Sequence, residues 1–186
     1  MDADSLRFGG DLAAFANSVT GAGLRPEIAA LIEQAALLYD APGHALALLE
    51  QARAAAPSHP APLIALYRFH FYGHRLDQAR AVGEDALAIA RTALGANFGD
   101  VPPREDATRF DAAVRFYLFA LKGLAYLNMR LGELVEAHFL LGELRRLDPQ
   151  DHVGGALLAH VLARHEAGGP TDRSPEYPAR GWGSKP

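Results

Sequence analysis

The sequence predicts an all-α protein of about seven helices, arranged as antiparallel hairpins stacked one on the next. Three observations lead there. Apolar residues recur at spacings of three and four along most of the chain, and no stretch shows sustained period-two alternation. Proline and glycine punctuate that pattern between its helical stretches. Small residues also repeat at a fixed step: Ala45 and Ala79 are 34 residues apart, and so are Ala52 and Ala86. A step of that length marks a two-helix unit that buries its apolar face only by stacking on a neighbour.

The elements follow in order. Asp11–Val19 has the pattern of a short helix, ended by Thr20–Gly23. Pro26 suits a first helical turn, and Ile28, Leu31, Ile32, Ala35 and Leu38 continue at helical spacing. Asp40–Gly43 is a turn, and His44–Ala56 is the second helix, stopped by Pro57 and Pro60. Pro62–Tyr72 and Arg75–Leu94 make the next hairpin around Gly73-His74. Residues 95–106 form an irregular insertion, longer than most connections in compact domains. One long helix is expected from Glu105 or Asp106 to Arg130, its partner from Glu133 to Leu147 after Gly132, and a last helix over 151–167. The helical domain is therefore 26–169, preceded by the segment 1–25. A tail, 170–186, holds four prolines and is expected to be disordered.

Composition excludes several function classes. Bases number 18 against 22 acids, and no segment carries the basic excess that nucleic-acid binding needs. The chain has no cysteine, which removes disulfides, thiolate metal sites and cysteine nucleophiles. The opening residues lack the apolar run of a signal peptide, and no stretch approaches the roughly 20 apolar residues of a membrane span. A cytoplasmic protein without nucleic-acid or membrane partners is the expectation. Only two of the 18 bases are lysine, Lys122 and Lys185, a bias typical of GC-rich bacterial coding.

The repeat resembles the tetratricopeptide family over residues 26–149. With Ala45 at the family's position 20, Leu49 takes position 24, Ala52 position 27 and Pro57 position 32. With Ala137 at position 20, Gly132, Leu141 and Pro149 take positions 15, 24 and 32. Departures are Glu33 and Tyr67 at the usually small position 8, Gly83 at the usually apolar position 24, and a third unit 58 residues beyond the second. The resemblance implies a short right-handed solenoid whose concave groove binds a protein or peptide, with no catalysis and no cofactor. Within it, Leu63–Val82 resembles small tetratricopeptide proteins encoded beside bacterial nitrogen-fixation machinery, which implies an adaptor or assembly role.

In that family the groove is lined by fixed positions of each first helix, which here are Ala61, Ile64, Arg68, Phe71 and Tyr72. Lys122, Tyr126 and Arg130 are expected to face the groove beside Arg68, making a basic, aromatic pocket suited to an acidic or carboxylate-bearing peptide. The competing reading fills inter-helix space with the aromatics of 67–72 and 116–126. The lysine and asparagine of chaperone-binding members are replaced by Ala30 and Gln34. Two other functions fit less of the sequence. One is a secretion-type chaperone of similar size and charge, with self-association. The other is a metal-binding or enzymatic protein using His70 and His74, which are four residues apart on one helix but separated by Gly73. No phosphate loop or nucleophile elbow occurs.

Overall fold

The computed structural model describes residues 24–38 and 40–167. The expected helix at Asp11–Val19 and the expected disordered tail lie outside them. Among the described residues there are eight helices and no strand: α1 (Pro26–Ala36), α2 (Pro42–Ala55), α3 (Pro60–Tyr72), α4 (Leu76–Leu94), α5 (Glu105–Phe110), α6 (Ala112–Leu131), α7 (Leu134–Leu147) and α8 (Ala156–Glu166). The helices α1 to α3 each open on proline, whose missing N–H falls where no intrahelical partner exists. Gly132 ends α6 in the left-handed region at φ 83°, and the Glu133 N–H returns to the Asn128 carbonyl at 2.8 Å.

The long helix expected from Glu105 is broken. Asp111 is extended (φ −76°, ψ 118°), and its carboxylate accepts from the N–H groups of Ala113 and Val114 at 2.9 and 3.0 Å. That cap restarts the helix, so one expected element becomes α5 and α6. Arg115 donates back to the carbonyls of Thr108 and Arg109, which α5 leaves open at its end. The last helix likewise starts later than expected. Asp151 sits at φ 56°, and its carboxylate accepts from Gly155 and Ala156, fixing α8 to begin at 156.

Hairpins α1/α2, α3/α4 and α6/α7 stack in chain order, with α2 against α3 and α4 against α6, and α8 closes the end on α7. The 34-residue step is the signature of this stacking. Ala45, Ala52, Ala79, Ala86 and Ala137 all lie in the second helices of hairpins and all are buried. The insertion between α4 and α5 is anchored too, with Phe98 edge-on to Tyr117 at 5.0 Å between ring centres.

A buried polar node ties α5 to the turn between α7 and α8. The Asp148 side chain is 1% exposed and accepts the Val153 N–H at 2.9 Å. His152 Nδ1 stands 3.1 Å from the same carboxylate and 3.2 Å from Thr108 Oγ1. The carboxylate only accepts and the Thr108 hydroxyl donates to the Glu105 carbonyl, so the Nδ1–H is the donor to both. Asp148→Ala should leave the buried Val153 N–H unsatisfied and His152 Nδ1–H with Thr108 alone, at a cost of about 2 kcal/mol, while Asp148→Asn, which keeps an acceptor, should cost less. Urea unfolding of the two variants checks this ordering.

Candidate binding face

Helices α3 and α6 both pack on α4 and run in the same direction as the two walls of a groove. Leu63 and Ile64 stand with Phe116 at one end of the shared groove, Tyr67 with Phe119 and Gly123 in its middle, and Phe71 with Tyr126 beyond them. Helical spacing does this: positions 64, 67, 68 and 71 share a side of α3, as 116, 119, 123 and 126 do on α6. Gly83 and Ala86 of α4 form the floor. The first part of the groove is accordingly apolar.

The far end is aromatic and cationic. Tyr67 stacks on Phe71 with ring centres 5.9 Å apart and planes 7° from parallel. Phe71 meets the edge of Tyr72 at 5.4 Å and Tyr126 at 5.9 Å. The Arg68 guanidinium lies 6.0 Å from the Tyr72 ring centre, within cation–π range. Arg130 donates to the Tyr126 hydroxyl at 3.0 Å and lies 5.8 Å from its ring centre. Tyr72 is half exposed and Arg130 is exposed, whereas Arg68, Phe71 and Tyr126 are partly buried. Burial, with Tyr126 and Tyr72 nearby, pushes the Tyr67 phenol far above its ordinary pKa, so it stays neutral.

Arg68, Phe71, Tyr72, Tyr126 and Arg130 thus come together. The Lys122 ammonium donates to the Val153 carbonyl at 2.7 Å, in the turn before α8. Spacing placed it one turn before Tyr126, but the position of α8 was not visible from there. Ala61 is buried. The aromatics at 67, 116 and 119 satisfy both readings of the sequence, since they are core residues by burial and groove walls by position. The floor position Gly83 was missed as a site residue. Its signal was a glycine inside an otherwise strong helix.

The histidine pair takes no metal geometry. His70 is buried, and its Nδ1 accepts from Arg75 Nε at 3.2 Å. Loss of hydration, and then the Arg75 charge, hold its pKa below the usual histidine value. His74 is exposed at φ 55°, past the end of α3. Among the described residues no group of three His, Asp or Glu side chains is placed to hold a metal ion. No helix among them is long and apolar enough to cross a membrane.

No protein-family model matches the chain, and no solved structure matches it. The chain is similar to a protein of Azotobacter chroococcum mcd 1 described as an uncharacterized 19.8 kDa protein in the nifW 5' region. The two are 36% identical over 149 residues, covering 77% of this chain and 82% of the relative. Identity at that level across most of both sequences shows that the chain belongs to the same family as this nifW-region protein.

Proposed function

We infer that the chain is a non-catalytic interaction module of tetratricopeptide type, serving as an adaptor or assembly accessory for nitrogen-fixation machinery. Its partner is an acidic or carboxylate-bearing protein segment held on the α3–α6 face. The observation that carries this is the joined set of Arg68, Phe71, Tyr72, Tyr126 and Arg130, which offers two guanidinium groups over rings that are partly open to solvent. Aromatic and arginine side chains at the centre of a concave face are the usual energetic anchors of protein contacts. Guanidinium groups fix a carboxylate through paired N–H donors. The nitrogen-fixation setting is supported by the nifW-region relative alone.

The test is affinity capture from cells fixing nitrogen, with the chain as bait, against the double variant Arg68→Ala/Tyr72→Ala. Helical content should be unchanged, because neither residue is fully buried. Recovery of the partner should fall by about tenfold or more, the effect of losing an anchor pair. Equal recovery by the two baits, or unfolding of the variant, would overturn the assignment of this face.

A further inference from the structure

The groove between α3 and α6 has a polarity: an apolar start at Leu63, Ile64 and Phe116, and a cationic, aromatic end at Arg68 and Arg130. The chain contains a segment with the matching polarity. We propose that residues 11–19, DLAAFANSV, dock along this groove of their own chain as an internal occupant that a partner must displace.

Four observations converge on it. The first is where the segment enters. Leu24 and Arg25 lie beside Pro57, Ser58 and His59, the turn that feeds α3, and Arg25 donates to the Ala55 carbonyl at 3.2 Å. Leu63 is one helical turn further on, so Leu24 stands at the same end of α3 as the apolar start of the groove. The second is reach. Thr20–Gly23 includes two glycines and spans up to roughly 13 Å when extended, more than the rise of two helical turns.

The third is pattern. Leu12, Phe15, Ala16 and Val19 share one helical face, at spacings of three, four and seven. Their rise of roughly 10 Å is close to the roughly 12 Å between Leu63 and Phe71 on α3. A stripe of that kind needs an apolar surface, and the groove offers one of about the same length. The fourth is charge. Asp11, Asp4 and Asp2 precede the stripe, against one base, Arg7. Read back from Leu24, the segment is first apolar and then acidic, as the groove is first apolar and then cationic. Docked this way, Asp11 comes to the level of Arg68 and Tyr72.

The consequence is regulatory. A partner with the same chemistry competes with a tethered copy of its own motif, so its apparent affinity is reduced by the fraction of chains whose groove is open. The inference uses the same face as the proposed function but not its partner.

The chain has no cysteine, which allows a direct test on the full protein. Ala16 lies on the apolar stripe and Ala120 lines the groove. On mild oxidation, A16C/A120C should close an internal disulfide and run as a compact monomer. The control A14C/A120C, with residue 14 on the opposite side of the same helix, should close about tenfold more slowly, since a disulfide needs the two Cβ atoms roughly 4 Å apart. Equal rates, no disulfide, or a disulfide-linked dimer would each overturn the inference, the last by showing a second copy as occupant. Phe15→Asp gives an independent reading that needs no cross-link. It should raise the fluorescence of anilinonaphthalene sulfonate several-fold at unchanged helical content, and unchanged fluorescence would overturn the inference. Neither readout involves partner capture, so this inference and the proposed function can fail separately.

Discussion

Leu118→Ala is expected to lower the unfolding free energy by about 3–5 kcal/mol. Leu118 is 0% exposed and sits near the middle of α6. That helix is the hub of the fold, packed against α4 and α5 on the chain's earlier side and α7 and α8 on its later side. Removing three buried carbons loses their transfer free energy and leaves a cavity. The walls are themselves helices pinned by other contacts, so collapse is limited and the cost falls toward the upper part of the range. For a chain of this size each kcal/mol moves the midpoint by roughly 2–4 °C, so thermal unfolding should come about 10 °C earlier. Phe139→Ala is the matched control. Phe139 is larger but 67% exposed on α7, and its loss should change stability by no more than about 0.5 kcal/mol. Similar losses for the two variants would mean that α6 does not hold the hairpins together.

What could be read from the sequence was whatever a short window records. The helices announce themselves through proline, glycine and apolar spacing, and the hairpins through alanines whose small size is required where paired helices meet. Ala52, Ala79 and Ala137, all at 0% exposure, are the strongest instances. The break at Asp111 was hidden because its carboxylate sits in a run of acids, with Glu105 and Asp106, that complements a helix start equally well without a break. Only the two N–H bonds accepted by Asp111 distinguish a cap from a solvated charge. The site was legible in the same partial way. Arg68, Phe71 and Tyr72 are neighbours on one helix, so their grouping follows from its period. Their meeting with Tyr126 requires α3 and α6 to run in the same direction on either side of one groove, which their shared packing on α4 supplies. The bond from Lys122 to the Val153 carbonyl was hidden for the same reason: the turn that supplies it is 31 residues away.

Gly83→Leu should destabilise the protein by about 3 kcal/mol, at the upper end for an overpacked core site. A glycine inside a helix costs about 1 kcal/mol relative to alanine, and nothing within α4 compensates for it. The compensation lies in α6. A Cβ at position 83 would stand 2.9 Å from Leu124 Cδ2, 3.3 Å from its Cγ and 3.8 Å from the Tyr67 ring. Leu124 therefore occupies the volume that a side chain at 83 would fill. The replacement predicts its own rescue. Leu124→Ala alone should cost about 3 kcal/mol as an ordinary core truncation. Combined with Gly83→Leu, it should restore much of the loss, because one leucine then fills the space from the α4 side. A double-mutant cycle in urea should give a coupling of about 2–3 kcal/mol in the rescuing direction. Strictly additive losses would show that the two positions do not share a volume. The floor of the groove would then be set by something other than this exchange of a side chain between α4 and α6.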